Sequence, residues 1–114
     1  MTHLNLPYLK HILESIDDIE VSLNKLPKKE FKENKDKKDA TIRRIEVIGE
    51  AVKNTSLNLR RKYPNVEWKK IAGSRDVMIH AYFSVDLDIV WNIVKINLPI
   101  LKKQIKEIID NESF

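Results

Sequence analysis

Cysteine is absent from this 114-residue chain, which removes disulfides, thiolate nucleophiles and cysteine-ligated zinc together. Glycine occurs only twice, at Gly49 and Gly73, and proline four times. So few turn formers, set among abundant leucine, isoleucine, lysine and glutamate, predict an all-α protein. No apolar run reaches the roughly 18 residues that a membrane span needs. The opening residues carry no basic segment followed by an apolar block, so no secretory signal is read there. The expectation is a cytoplasmic protein without a membrane partner. At this length it is a single helical domain, 1–114, whose helices finish their burial against a second copy.

Charge of one sign is only slightly in excess. Twenty-one lysines and arginines stand against 17 acidic residues, a formal net charge of +4. A basic surface attracts phosphate backbones, but solubility alone accounts for such a value. The balance permits a nucleic-acid partner without demanding one.

What the chain does have is helical periodicity. Leu9, Ile12, Ile16, Ile19, Leu23 and Leu26 recur at three- and four-residue spacing, the stripe of an amphipathic helix. Pro7 sits where a first helical turn tolerates it, Pro27 follows that helix, and Pro64 stops a second one. The run from Lys28 to Asp39 is charged, mixed in sign and almost without apolar residues. It reads as a solvated connection with room for a helical turn around Phe31. A second stripe, Ile42, Ile45, Ile48, Val52, Thr55 and Leu59, predicts one helix closing near Arg60-Arg61-Lys62. Those basic residues suit the negative end of a helix dipole better than they argue for phosphate binding. Gly49 interrupts this helix, and close packing of another helix over it is the expected reason.

Asn65 is a candidate cap for a third helix, from about Val66 to His80, and Ser84 or Asp86 for a fourth. The fourth carries Leu87, Val90, Trp91, Val94, Leu98, Leu101, Ile105 and Ile108 on one face. Ile89, Ile93, Ile96 and Ile100 lie on a neighbouring one. A bundle helix needs an apolar stripe of only about 100°, so the surplus predicts a homodimer interface or a very central position. Pro99 is expected to kink this helix without ending it. Trp68 and Trp91 read as packing anchors, and Tyr8 and Tyr63 as structural. His3 and His11 have no partners at metal-ligand spacing, and neither a metal site nor a cofactor is read anywhere in the chain.

The stretch from Gly73 to Phe83 differs from the rest, with arginine, aspartate, histidine and tyrosine set among apolar residues. On a helix Asp76 and His80 are i, i+4 neighbours, so the carboxylate can hold the imidazole. Arg75 and Tyr82 share a stripe if the helix continues that far. If it ends at His80, the dipole favours the imidazolium. An arginine and a histidine suffice for metal-independent RNA cleavage. The imidazole moves a proton to or from the reacting oxygens, and the guanidinium offsets charge on the phosphorane. RNA brings its own 2′-hydroxyl nucleophile. Both proton transfers need two groups, which two copies of the segment would supply. Taken alone, Arg75-x4-His80-x-Tyr82 is short enough to arise by chance, and a histidine near a helix end is more often structural.

The residues around it extend the pattern. Ile45-Glu46-Val47-Ile48-Gly49-Glu50-Ala51, Tyr63-Pro64-Asn65-Val66-Glu67-Trp68-Lys69-Lys70-Ile71-Ala72-Gly73, His80-Ala81-Tyr82-Phe83-Ser84-Val85-Asp86, Val90-Trp91 and Leu98-Pro99 follow in order. Together they resemble the HepT-like branch of the HEPN superfamily. The resemblance implies a bundle of four to five helices that dimerises, with two Arg-x4-His segments sharing a cleft. It implies a metal-independent RNase toxin whose partner is a nucleotidyltransferase antitoxin of the MntA type. On the matching positions Arg75 and His80 would be catalytic, Asp76 supporting, and Tyr82 the tyrosine that receives AMP. Glu50 stands equally well as an exposed helix carboxylate or as a contributor to the cleft. Two other functions compete: a HEPN interaction module without cleavage that binds the nucleotidyltransferase or a nucleotide, and an RNA binder acting through lysine and arginine alone.

Overall fold

The first isoleucine stripe forms α1 (Leu6–Ser22) in the computed structural model, which describes residues 4–74 and 86–112. Pro7 lies in the first turn as expected. Leu9, Ile12, Ile16, Ile19 and Leu23 are buried, while Leu26 is only partly so because α1 has ended before it. Asn5, at the N-terminal end of α1, makes no cap bond to its own helix. Its Oδ1 accepts from the Ser56 amide at 2.8 Å and its Nδ2 donates to Ser56 Oγ at 3.1 Å.

The charged run is not a connection. It folds into α2 (Lys28–Glu33) and the start of α3 (Lys35–Lys53). Lysine and glutamate are good helix formers, Phe31 is fully buried, and Asn34 Oδ1 caps the new helix by accepting from the Lys37 amide at 3.0 Å. The second stripe is broken in two. α3 closes at Lys53, and Ser56, whose Oγ accepts from the Leu59 amide at 3.2 Å, opens α4 (Leu57–Lys62). Periodicity did not reveal the break because Thr55 and Leu59 stay buried across it.

Arg60 secures that corner. Its Nη2 donates to the carbonyls of Val52, Lys53 and Thr55 at 2.9, 2.8 and 3.1 Å, and its Nε to Thr55 Oγ1 at 3.2 Å. The basic residue expected to serve a helix end does so, but at the end of α3, the helix before its own.

α5 (Trp68–Ala72) is much shorter than the helix expected from Val66 to His80. Gly73 forms a turn after it and Ser74 is helical again; the remainder of that expected helix lies outside the described residues. Asn65 is not its cap. Glu67 occupies that position, and the Asn65 carbonyl instead accepts from Gln104 Nε2 at 3.3 Å. α5 crosses α3 at Gly49, as the glycine suggested. A Cβ at Gly49 would stand 3.1 Å from both the Ile71 carbonyl oxygen and Ser74 Oγ. The close approach offsets the cost of about 1 kcal/mol that a helix-interior glycine carries.

Asp86 does cap the last helix, its side chain accepting from the Ile89 amide. Ser84, the alternative cap, lies outside the described residues. The helix runs as α6 (Leu87–Asn92), a π-helical turn (Ile93–Asn97) and α7 (Leu98–Glu112). Pro99 has no amide hydrogen for the carbonyl four residues back, and its ring crowds that carbonyl. The wider turn immediately before it takes up the defect, and the helix continues. Val90, Val94, Leu98, Leu101, Ile105 and Ile108 are buried; Ile89, Ile96 and Ile100 are 43%, 57% and 55% exposed.

Trp91 tilts against Phe31 with ring centroids 5.2 Å apart, beneath Lys95 at 4.8 Å. Lys28 and Lys32 both pair with Asp88 and hold its carboxyl below the usual aspartate range. The outcome is an all-helical bundle, as composition and the resemblance implied, with no strand among the described residues. No helix there is long and apolar enough to cross a membrane.

Replacing Arg60 tests the corner. Arg60→Ala should destabilise by about 2 kcal/mol, since the carbonyls lose a charged donor, or roughly 5 °C in Tm for this size of domain. Arg60→Lys should recover less than half of that in thermal melts followed by circular dichroism. Full recovery by lysine would mean that charge, not the guanidinium's several donors, holds the corner.

Candidate functional site

Arg75, Asp76, His80 and Tyr82 lie outside the described residues, so the site is built from what borders them. Ser74 precedes Arg75 directly, at the end of the chain that α5 delivers. Asp86 closes the segment on the far side and starts α6. Ser74 lines a groove of about 530 Å³, and Ile89, three residues beyond Asp86, lines it as well.

The groove runs between α3, α5 and the long helix. Its buried wall is Ile45, Ile48, Leu98 and Leu101, while the exposed Ile89 and Ile100 stand on its open side. The polar residues of the lining are mostly neutral: the amides of Asn65, Asn92, Asn97 and Gln104 and the hydroxyl of Ser74, beside the Lys70–Glu67 pair. Neutral amides offer both donors and acceptors, which suits base edges and ribose as well as a protein surface. No sequence signal points to Asn92, Asn97 or Gln104, and Lys70 stands out only as part of the Tyr63–Gly73 motif. Asn92 and Asn97 are five residues apart, and a 3.6-residue period separates such positions. The π-helical turn between them, which periodicity does not reveal, brings both to the groove.

A second feature fixes the approach to the segment. Tyr63 Oη donates to Glu112 at 2.5 Å, and Lys62 Nζ reaches the same oxygen at 2.8 Å. Trp68 Nε1 donates to the Tyr63 carbonyl at 2.9 Å. Together with the Gln104–Asn65 bond, this ties the loop before α5 to α7 at two points. Lys62 and Tyr63 hold the Glu112 carboxyl below the ordinary glutamate value of 4.5. Its carboxylate in turn raises Lys62. Burial, then the bond to Glu112, raises Tyr63. Tyr63 is thus structural, as read, while its partner Glu112 gave no signal in the sequence. Glu50 lies on the exposed side of α3 beside Gly49, and its carbonyl accepts from Asn54. His11 is exposed on α1, and His3 lies outside the described residues. Among the described residues, no group of three or more histidines and carboxylates is placed to hold a metal ion.

The sign of the pH dependence follows from Glu112. A carboxyl depressed by folding contributes stability above its unfolded value of about 4.5, and that contribution disappears as pH falls through the folded value. Glu112→Gln should therefore lower Tm by a few degrees at neutral pH. Parent and variant should converge as pH drops below the unfolded value; an unchanged gap at pH about 3 would show that the charge is not what counts.

The comparisons agree with this architecture. The family model described as "Ribonuclease HepT-like" matches residues 12–108. The chain is 46% identical over 103 residues to "Gamma-glutamylcyclotransferase and putative RNase MJ0434" of Methanocaldococcus jannaschii, covering 90% of this chain and 46% of that relative. It thus spans less than half of that protein's length. It is 40% identical over 106 residues to "Putative RNase TTE0752" of Caldanaerobacter subterraneus subsp. tengcongensis, covering 93% of this chain and 95% of the relative. Identity to "Probable ribonuclease HepT" of Thermococcus cleftensis is 38% over 101 residues, 89% of this chain and 92% of that one. No solved structure matches the chain. A family match over 12–108, carried on an all-helical bundle, places this chain in the HepT-like ribonuclease family.

Proposed function

We propose that this protein is a metal-independent endoribonuclease, the toxin of a toxin–antitoxin pair, with Arg75 and His80 as its catalytic residues. One observation carries the reading: in a HepT-like ribonuclease, Ser74, the residue directly before the segment that combines arginine, histidine and tyrosine, lines a groove between the helices. In the reaction an imidazole removes the 2′-hydroxyl proton, and the 2′-oxygen attacks the adjacent phosphorus. The 5′-oxygen departs with a proton from a second imidazole, leaving a 2′,3′-cyclic phosphate and a 5′-hydroxyl. Arg75 offsets the charge on the phosphorane, and Asp76, four residues before His80, orients the ring.

The two proton transfers call for two histidines, and a second copy supplies the other. Ile89 and Ile100, exposed and lining the groove, and Ile96, exposed on the same long helix, are the residues that would seat it. Neutralisation is proposed to act at Tyr82. A nucleotidyltransferase antitoxin transfers AMP, the tyrosine oxygen attacking the α-phosphorus of ATP and pyrophosphate leaving. A phosphodiester two residues from His80 then puts negative charge and bulk where the RNA phosphate must sit.

Purified, unmodified protein should cleave RNA in EDTA and leave 2′,3′-cyclic ends, with Arg75→Ala and His80→Ala each slower by about 100-fold or more. An inert parent of unadorned mass, or a fully active His80→Ala, would leave the interaction module as the function. For the dimer, Ile96→Asp should shift sedimentation to the monomer and lower cleavage by a similar factor. A parent that cleaves at full rate as a monomer would refute the shared site.

A further inference from the structure

The contact between Gly49 and the end of α5 bears on the reaction itself. Gly49 is buried in the C-terminal part of α3, four residues before its end at Lys53. The space its side chain would fill is taken by the Ile71 carbonyl and Ser74 Oγ, each 3.1 Å from a built Cβ, with the Ala72 carbonyl at 3.5 Å. Two of these three atoms are backbone. The third is not free to swing away, because Ser74 Oγ donates to that same Ile71 carbonyl at 2.6 Å. Any side chain at position 49 must therefore push the last turn of α5 as a unit.

The direction of the push follows from what holds α5. Its first residue, Trp68, is 6% exposed and donates through Nε1 to the Tyr63 carbonyl, and the loop before it is tied to α7 through Gln104 and Glu112. The start is anchored, and the residues that meet position 49, Ile71 and Ser74, lie at the end of α5 and directly beyond it, so a displacement there passes along the backbone. The next residue after Ser74 is Arg75.

We infer that Gly49 is a positioning residue for the cleavage segment: its missing side chain sets the distance between α3 and the backbone that carries Arg75. The inference rests on the ribonuclease reading above. A shift of a few tenths of an ångström suffices, because misplacing a reacting group by about 1 Å costs on the order of 100-fold in rate. Gly49→Ala should accordingly lower kcat by about 10-fold, with KM changed less than about 2-fold, in a protein of native helical content. Removing the hydroxyl in the double variant Gly49→Ala/Ser74→Ala frees one of the two close contacts and should return at least half of the loss on a logarithmic scale.

The test combines those kinetics with two-dimensional NMR of Arg75 Nε–H and the His80 ring. In Gly49→Ala these resonances should move, and they should return toward the parent in the double variant. Resonances of α1 should stay in place. Cleavage by Gly49→Ala at the parent's kcat would overturn the inference and leave the ribonuclease reading intact. If the parent itself is inert, that reading fails, and unmoved Arg75 and His80 resonances in Gly49→Ala would overturn the positioning claim separately. Should Gly49→Ala fail to fold, Ser74→Thr crowds the same contact from the α5 side and carries the same expectations.

Discussion

α3 is the element against which α1, α2 and α5 are set, and its buried stripe is the constraint on which the site depends. Ile42, Ile45, Ile48 and Val52 are between 0% and 5% exposed. α1 packs along them, α2 covers one end, and α5 crosses at Gly49. Fully burying a side chain of this kind contributes about 1.5–3 kcal/mol, whereas an exposed ion pair contributes about 0–1. The surface pairs of Lys102 with Asp17 and Glu20, between α7 and α1, therefore help set register on a core that has already fixed the fold. The same stripe supplies Ile45 and Ile48 to the groove, so the wall of the candidate site is core packing seen from its open side.

The chain turns corners with few glycines, and it does so with side chains. Asn5 and Arg60 act on one corner from opposite directions. Asn5 holds Ser56 where α4 begins, and Arg60 satisfies the carbonyls where α3 ends. Unpaired helix-end groups shielded from water cost more than a surface contact contributes, which is why a long side chain such as Arg60 is retained there and not left in solvent. At the next corner Gly73 makes the turn that leads to Arg75. There the sequence has a glycine, and α5 ends at Ala72 although the sequence predicts one helix to about His80.

Much of this was legible in advance because burial imposes a period. The stripes of α1, α3 and the long helix, Asp86 as a cap, and the close approach at Gly49 all follow from spacing and from one anomalous residue type. What periodicity missed has a common cause. Thr55 and Leu59 remain buried through a helix break, and Phe31 alone anchors a helix in a run of charges, so hydrophobic spacing reports burial and not continuity. The π-helical turn before Pro99 alters the period itself, which is how Asn92 and Asn97 come to share a groove. Glu112 became significant only through Tyr63 and Lys62, 49 or more positions away in the chain.

The apolar excess of the long helix links stability to the proposed chemistry. A helix buried in one bundle has no use for isoleucines at 89, 96 and 100 that remain 43% to 57% exposed. Scattered exposed apolar residues are ordinary, but these three share one helix, and two of them line the groove that Ser74 also lines. Transesterification of RNA needs one group to take a proton and another to give one, and the segment holds a single histidine. On the proposed reading, a second copy seated on those isoleucines answers both requirements: it removes apolar surface from water and brings the second imidazole to the same phosphate. Assembly and catalysis would then share one surface, and a substitution there would affect both together.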